Sequence, residues 1–119
     1  MNPISQIAGL RAAVGVGAYL APNLTGRLFG LDPAGNPQAS YLARLFAVRD
    51  LALAVGALSS AGEARRRWLA LGMFCDVGDA VAAYLSGRDG SLPAPAAVAT
   101  GATALSAVAM GVVALRQPA

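Results

Sequence analysis

Histidine and lysine are absent from this 119-residue chain, and cysteine occurs once, at Cys75. Without His, and with a single thiol, a conventional zinc site has no ligand set, and no internal disulfide can form. Cys75 has no His base and no second thiol, so thiol chemistry is not indicated. No Ser-His-Asp set, P-loop, pair of glycosidase carboxylates or dinucleotide fingerprint is present. Gly15-Val16-Gly17 lacks the third glycine and a preceding strand. Enzymatic activity is therefore not the expected reading, and no cofactor is indicated by motif.

Charge is also scarce. Only 13% of residues are charged, against about 25% in an ordinary soluble domain. The nine basic residues are all Arg, and the net charge is +3. They form no surface stripe. The one dense cluster is Arg65-Arg66-Arg67, so the footprint of a nucleic-acid binder is missing. The chain is rich in Ala and Gly, which fits a high-GC bacterial genome and says nothing about fold.

What is present is apolar surface. Hydrophobic residues make up 56% of the chain, and the mean hydropathy is +0.56. That leaves too little polar surface to cover one domain in water. The chain reads as a single integral-membrane domain over residues 1–119. The start, Met1-Asn2-Pro3-Ile4-Ser5-Gln6, lacks the positive region of a secretory signal, so the first apolar segment is expected to be retained.

Four spans are expected. The first runs from Ile4 to Ala21 and ends at Pro22-Asn23; eighteen residues reach roughly 27 Å. Pro22 to Gln38 reads as a connector, partly along the interface, with turn chemistry at Asp32-Pro33 to Pro37. Asn23-Leu24-Thr25 matches a glycosylation sequon and is read as chance. The second span runs from Ala39 to about Ser60. A short turn leads to the third, Arg65 to Ser86, with Trp68 and Tyr84 at the interfacial levels. The fourth runs from Pro95 to Leu115, uncharged and built of small residues that favour close helix packing. The expected fold is all-α, a four-transmembrane-helix antiparallel bundle. Arg65, Arg66, Arg67 and Arg116 fall on the side of both termini, which predicts N- and C-termini in the cytoplasm of a bacterial inner-membrane protein.

Six ionisable residues fall inside the first three spans: Arg11, Arg44, Arg49, Asp50, Asp76 and Asp79. Three are positive and three negative, so the set is formally neutral. Ionised groups at that depth are tolerated when they pair and face the bundle interior. Asp76 and Asp79 share a helix face. Arg49 and Asp50 point about 100° apart. The preferred pairing is Arg49 with Asp76, Arg44 with Asp79 and Arg11 with Asp50. Two readings stay open. A structural network should be closed and dry, with every Arg nitrogen paired. A functional one should open to a pocket and show an unpaired carboxylate. A divalent cation at Asp76-x-x-Asp79 would compete with the arginines.

The run Arg44-Leu45-Phe46-Ala47-Val48-Arg49-Asp50-Leu51-Ala52-Leu53-Ala54-Val55-Gly56, with Asp76-Val77-Gly78-Asp79-Ala80, resembles small bacterial four-helix membrane proteins of the DoxX-like type. The resemblance implies four membrane helices and an association with membrane redox and quinone-linked systems. It carries no catalytic residue onto this chain. The expected function is an accessory or scaffold role in the membrane around an Arg/Asp network. The alternative is a proton-handling or small-molecule-binding subunit, with a quinone as guest. Expected partners are the lipid bilayer and another membrane protein or a second copy, with no nucleic acid.

Overall fold

The computed structural model describes residues 2–118. Among them there are five α-helices and no strand: α1 (Pro3–Leu20), α2 (Pro22–Leu28), α3 (Ala39–Ser59), α4 (Gly62–Arg88) and α5 (Ala94–Leu115). Local chemistry sets their ends. Asn2 caps α1, its side chain accepting from the Ser5 amide at 2.8 Å, and Pro3 occupies the first turn. Pro93 and Pro95 frame the start of α5 in the same way.

Two expectations about this architecture are overturned. The stretch expected to be a connector contains α2. Pro22 does not simply stop α1; it is also the first residue of a new helix, a position where its missing N–H costs nothing. The fold is thus five helices, not a four-helix bundle. Four membrane-length spans are not found either. Among the described residues only α4 and α5 are both long and apolar enough to cross a membrane by themselves. Arg11 interrupts α1, and Arg44, Arg49 and Asp50 load α3 with charge.

The helices associate in two tight pairs, α1 with α3 and α4 with α5. The pairs meet through narrower contacts of α3 with α4 and α1 with α5. Arg44 near the start of α3 lies beside Tyr19 near the end of α1, so that pair is antiparallel. Ile4, Gly62, Arg66 and Ala114 come together, which gathers the chain start, the α3–α4 turn and the end of α5 at one end. The short α2 lies at the other end. Its exit is seated on α5: Gly30 adopts φ +83°, and a Cβ there would lie 3.2 Å from the Ala96 backbone.

The interior is small-residue packing. Among the described residues, ten of the thirteen buried hydrophobics are Ala; the others are Ile7, Leu53 and Leu69. Large apolar side chains lie outside instead, including Phe74 (78% exposed), Leu28 (77%) and Val98 (70%). Glycine extends the close approach. A Cβ on Gly56 would enter the Trp68 ring, so the indole of α4 lies flat on α3. Buried with the alanines are three charged residues, Arg11, Asp50 and Asp76. This inverts the usual soluble arrangement, in which charges are outside and large apolar groups inside.

Candidate functional site

Helix α4 supplies two carboxylates three residues apart, and each meets an arginine from a different helix. Arg11 of α1 donates from Nη1 to Asp76 Oδ1 at 2.9 Å and from Nη2 to Asp76 Oδ2 at 2.6 Å. Arg49 of α3 makes the same fork to Asp79, at 2.9 and 2.6 Å. Two parallel N–H donors on a carboxylate make a strong and directional pairing. The Arg11–Asp76 pair is buried, with side chains 7% and 4% exposed. The Arg49–Asp79 pair is about one-third open. The Phe46 ring lies 4.5 Å from the Arg49 guanidinium and covers its face.

Room for the Arg11 guanidinium comes from Gly72, one turn before Asp76. A Cβ at that position would lie 2.6 Å from Nη2.

Asp50 is the remaining carboxylate. Its Oδ1 lies 3.7 Å from Arg11 Nη1 and 3.6 Å from Arg49 Nη2. Both distances exceed hydrogen-bond range, and Oδ1, buried, accepts no hydrogen bond. Arg49 Nε is also buried without an acceptor.

The structure re-pairs the charged residues. Arg11 takes Asp76 and Arg49 takes Asp79, where the sequence favoured Arg11 with Asp50 and Arg49 with Asp76. Arg44 is not in the cluster at all. Its Nε donates to the Tyr19 carbonyl at 3.0 Å, and its guanidinium lies over the Tyr19 ring at 5.8 Å. The last carbonyls of a helix have no intrahelical partner and carry partial negative charge, and Arg44 sits where α1 exposes them. Removing Arg44 leaves two guanidiniums against three carboxylates. The expected neutrality becomes a net charge of −1, and Asp50 is the surplus.

Two more arginines do what Arg44 does. Arg65 Nε donates to Ala57 O of α3 at 3.0 Å, and Arg66 Nη1 donates to Leu115 O of α5 at 2.7 Å. The sequence reading took Arg65-Arg66-Arg67 as a topology signal and missed this capping role. The signal was available: an Arg beside a helix C-terminus suits both its dipole and its free carbonyls.

Between the two helix pairs lies a cavity of about 470 Å³. Its walls are apolar, formed by Leu10, Val14, Leu42, Phe46, Ala83 and Ala104. Thr25, Phe29 and Leu31 line it at the α2 end. Thr100 and Thr103 also line it, but their hydroxyls donate to Ala96 O and Ala99 O of their own helix, at 2.7 and 2.8 Å. At the other end the cavity reaches Arg11, Asp50, Asp76 and Asp79. Arg11, Asp76 and Asp79 enter it already hydrogen-bonded to their partners; Asp50 does not. Cys75 is half-buried beside this cluster and forms no disulfide.

Comparison of the chain with protein-family models, curated proteins and solved structures finds no match in any of the three. The DoxX-like resemblance drawn from residues 44–56 and 76–80 is therefore withdrawn. An arginine and an aspartate in an Ala- and Leu-rich helix are shared features of any helix that buries ion pairs, and they do not identify a family. The firm description is a compact all-α protein with a buried Arg/Asp salt-bridge network.

Proposed function

We propose that this protein resides in a lipid bilayer and holds a small amphipathic molecule between its two helix pairs. The observation that carries the reading is the cavity: apolar along its length and lined at one end by Asp50, a carboxylate that holds no hydrogen-bonded partner of its own. Sites for drug-sized molecules share this make-up, about 300–1,000 Å³ of largely apolar wall with a few placed polar groups. A purely structural network would use all its polar atoms. This one leaves Asp50 over, at the edge of a space.

The bilayer location is supported by the outer surface. Among the described residues, twenty-two large hydrophobic side chains are exposed, on every helix. A monomer in water rarely exposes so much contiguous apolar area. The exposed Ser106 hydroxyl is satisfied within α5, donating to Ala102 O at 2.8 Å, as a lipid-facing helix requires. The arginine-rich end, with both chain termini, faces the cytoplasm in this reading.

The head of the guest follows from the carboxylate that lines the cavity. Asp50 offers an acceptor. An oxidised quinone also presents acceptors, so it does not complement this end of the cavity; a group that donates does.

The test uses the full chain in phosphatidylcholine nanodiscs and the neutral probe 4-phenylbutan-1-ol. Intermolecular NMR contacts are expected to the methyls of Thr100, Thr103 and Ala83, and Ala83→Leu, which fills the cavity, should remove them. Contacts confined to outward methyls such as Val98 and Val113 would overturn the binding reading. Recovery of the chain in the aqueous fraction without detergent would overturn the location.

A further inference from the structure

Asp50, where the cavity meets the charged cluster, is the carboxylate that the cluster's two arginines leave over. Five ionised side chains meet at this point. Arg11 and Arg49 contribute two positive charges; Asp50, Asp76 and Asp79 contribute three negative. The Cys75 thiol also lies near Arg49; among the described residues no further charged side chain makes an ion pair with the cluster. Arg44 is turned to the end of α1, and α5, the helix across the cavity, has no charged residue. Both guanidiniums spend their forked donors on Asp76 and Asp79. Asp50, 93% buried by its side chain, is left 3.6–3.7 Å from each of them with no donor of its own.

A buried carboxylate whose neighbouring arginines are each already forked to another carboxylate is costly until something balances it. Here the space beside it is large and apolar. We infer that the cavity takes an organic cation: an apolar body with a protonated amine head, whose N–H donates to Asp50. The inference rests on the binding reading above and sharpens it. A neutral alcohol would satisfy the lone pair but leave the net charge of −1. An anion would add to it. A bare metal ion would find one free carboxylate and apolar walls, too few ligands for a hard cation. An ammonium head supplies both the missing proton donor and the missing charge, and its hydrocarbon body matches the walls. Alkyl ammonium groups, like Lys with a pKa of about 10.4, are charged at neutral pH.

The experiment compares three molecules of one body on the full chain in zwitterionic phosphatidylcholine nanodiscs at pH 7: 4-phenylbutan-1-amine, 4-phenylbutan-1-ol and 4-phenylbutanoate. Binding is read as saturable shifts of the Thr100, Thr103 and Ala83 methyls, which separates the cavity from partitioning into lipid. The amine should bind at least tenfold more tightly than the alcohol, and the carboxylate should leave these methyls unmoved. Asp50→Asn should bring the amine to within threefold of the alcohol. Equal binding of amine and alcohol to the parent would overturn the cationic head while leaving the cavity reading intact. A tenfold preference that survives in a folded Asp50→Asn variant would overturn the assignment to Asp50. Failure of all three molecules to move the cavity methyls would overturn the binding reading itself. If Asp50→Asn does not fold, the Asp50 carboxyl carbon resonance of the parent decides the assignment: a saturable shift with the amine supports it, and an unmoved resonance overturns it.

Discussion

Gly72 and Arg11 are in direct apposition: the α4 backbone at Gly72 forms the surface against which the Arg11 guanidinium lies. A methyl group at that position would come within 2.6 Å of Nη2, and on the far side Nη2 is fixed by its 2.6 Å bond to Asp76. The guanidinium has nowhere to retreat without loosening that bond. Gly72→Ala should therefore destabilise the fold by about 1–3 kcal/mol, as overpacking does in well-filled interiors. Thermal unfolding followed by circular dichroism measures it. An unchanged midpoint would mean that α4 moves aside at no cost.

Asp76 and Asp50 should respond oppositely to the same change. Asp76→Asn keeps one oxygen acceptor for Arg11 but removes half of a buried fork and its charge, leaving Asp50 at 3.7 Å as the nearest counter-charge. Breaking one partner of such a pair costs about 3–5 kcal/mol. Asp50→Asn removes the surplus charge and breaks no hydrogen bond made by Oδ1, so stability should be unchanged or higher. The two variants, unfolded side by side, give the comparison. Equal losses would contradict the division of roles.

Arg66 should matter locally. Its loss frees the Leu115 carbonyl at the end of α5. Arg66→Gln is expected to cost about 1 kcal/mol and to speed amide hydrogen exchange in the last turn of α5 while leaving its middle protected. Uniform acceleration along α5 would point to a global rather than a capping role.

Phe74 separates a lipid-facing surface from a water-facing one. It is 78% exposed and lies near the middle of α4. On a surface bathed in water, Phe74→Arg would change stability by about 0.5 kcal/mol or less. At the centre of a membrane helix an arginine costs about 2.5–3.5 kcal/mol. The yield of membrane-inserted, monodisperse protein should fall sharply. A variant recovered like the parent would count against a bilayer location.

At the α4–α5 turn, the Asp89 carboxylate titrates below its ordinary 3.8, chiefly because the Ser91 hydroxyl donates to it at 2.6 Å and secondarily because the Ser91 amide does at 2.9 Å. A lowered carboxylate pKa means that the turn is favoured above the ordinary value and loosens as pH falls through the lowered one. Ser91→Ala should move the Asp89 titration upward, towards the ordinary value, in a carboxyl-detected NMR titration. The amide bond that survives this change limits the shift.

Much of the architecture could be read from residue order alone. Prolines and glycines bound the long helices, so Ala39, Ser59 and Leu115 mark helix limits within a residue or two of where they were expected. Helix α2 was hidden because seven residues are too few for a periodic pattern, and because Pro22 serves as both stop and start. The six charged residues were visible as anomalies in apolar runs. Their pairing was not, because it depends on rotation and on Gly72, whose missing side chain leaves no trace in a charge pattern. Arg44 was counted into the cluster by its depth. Its actual partner is a main-chain carbonyl, a group that every residue has and that no sequence marks.

The ion pairs are also divided unevenly along the chain. The segment through α3 holds both network arginines and one aspartate; the segment from α4 onward holds the other two aspartates and no network arginine. Neither segment can balance its own charges. During synthesis the first segment must wait, carrying excess positive charge, until α4 is made. If residues 1–60 and 61–119 were produced as separate polypeptides, each would be an incomplete half, with Arg11 and Arg49 of one finding their forked carboxylates only in Asp76 and Asp79 of the other.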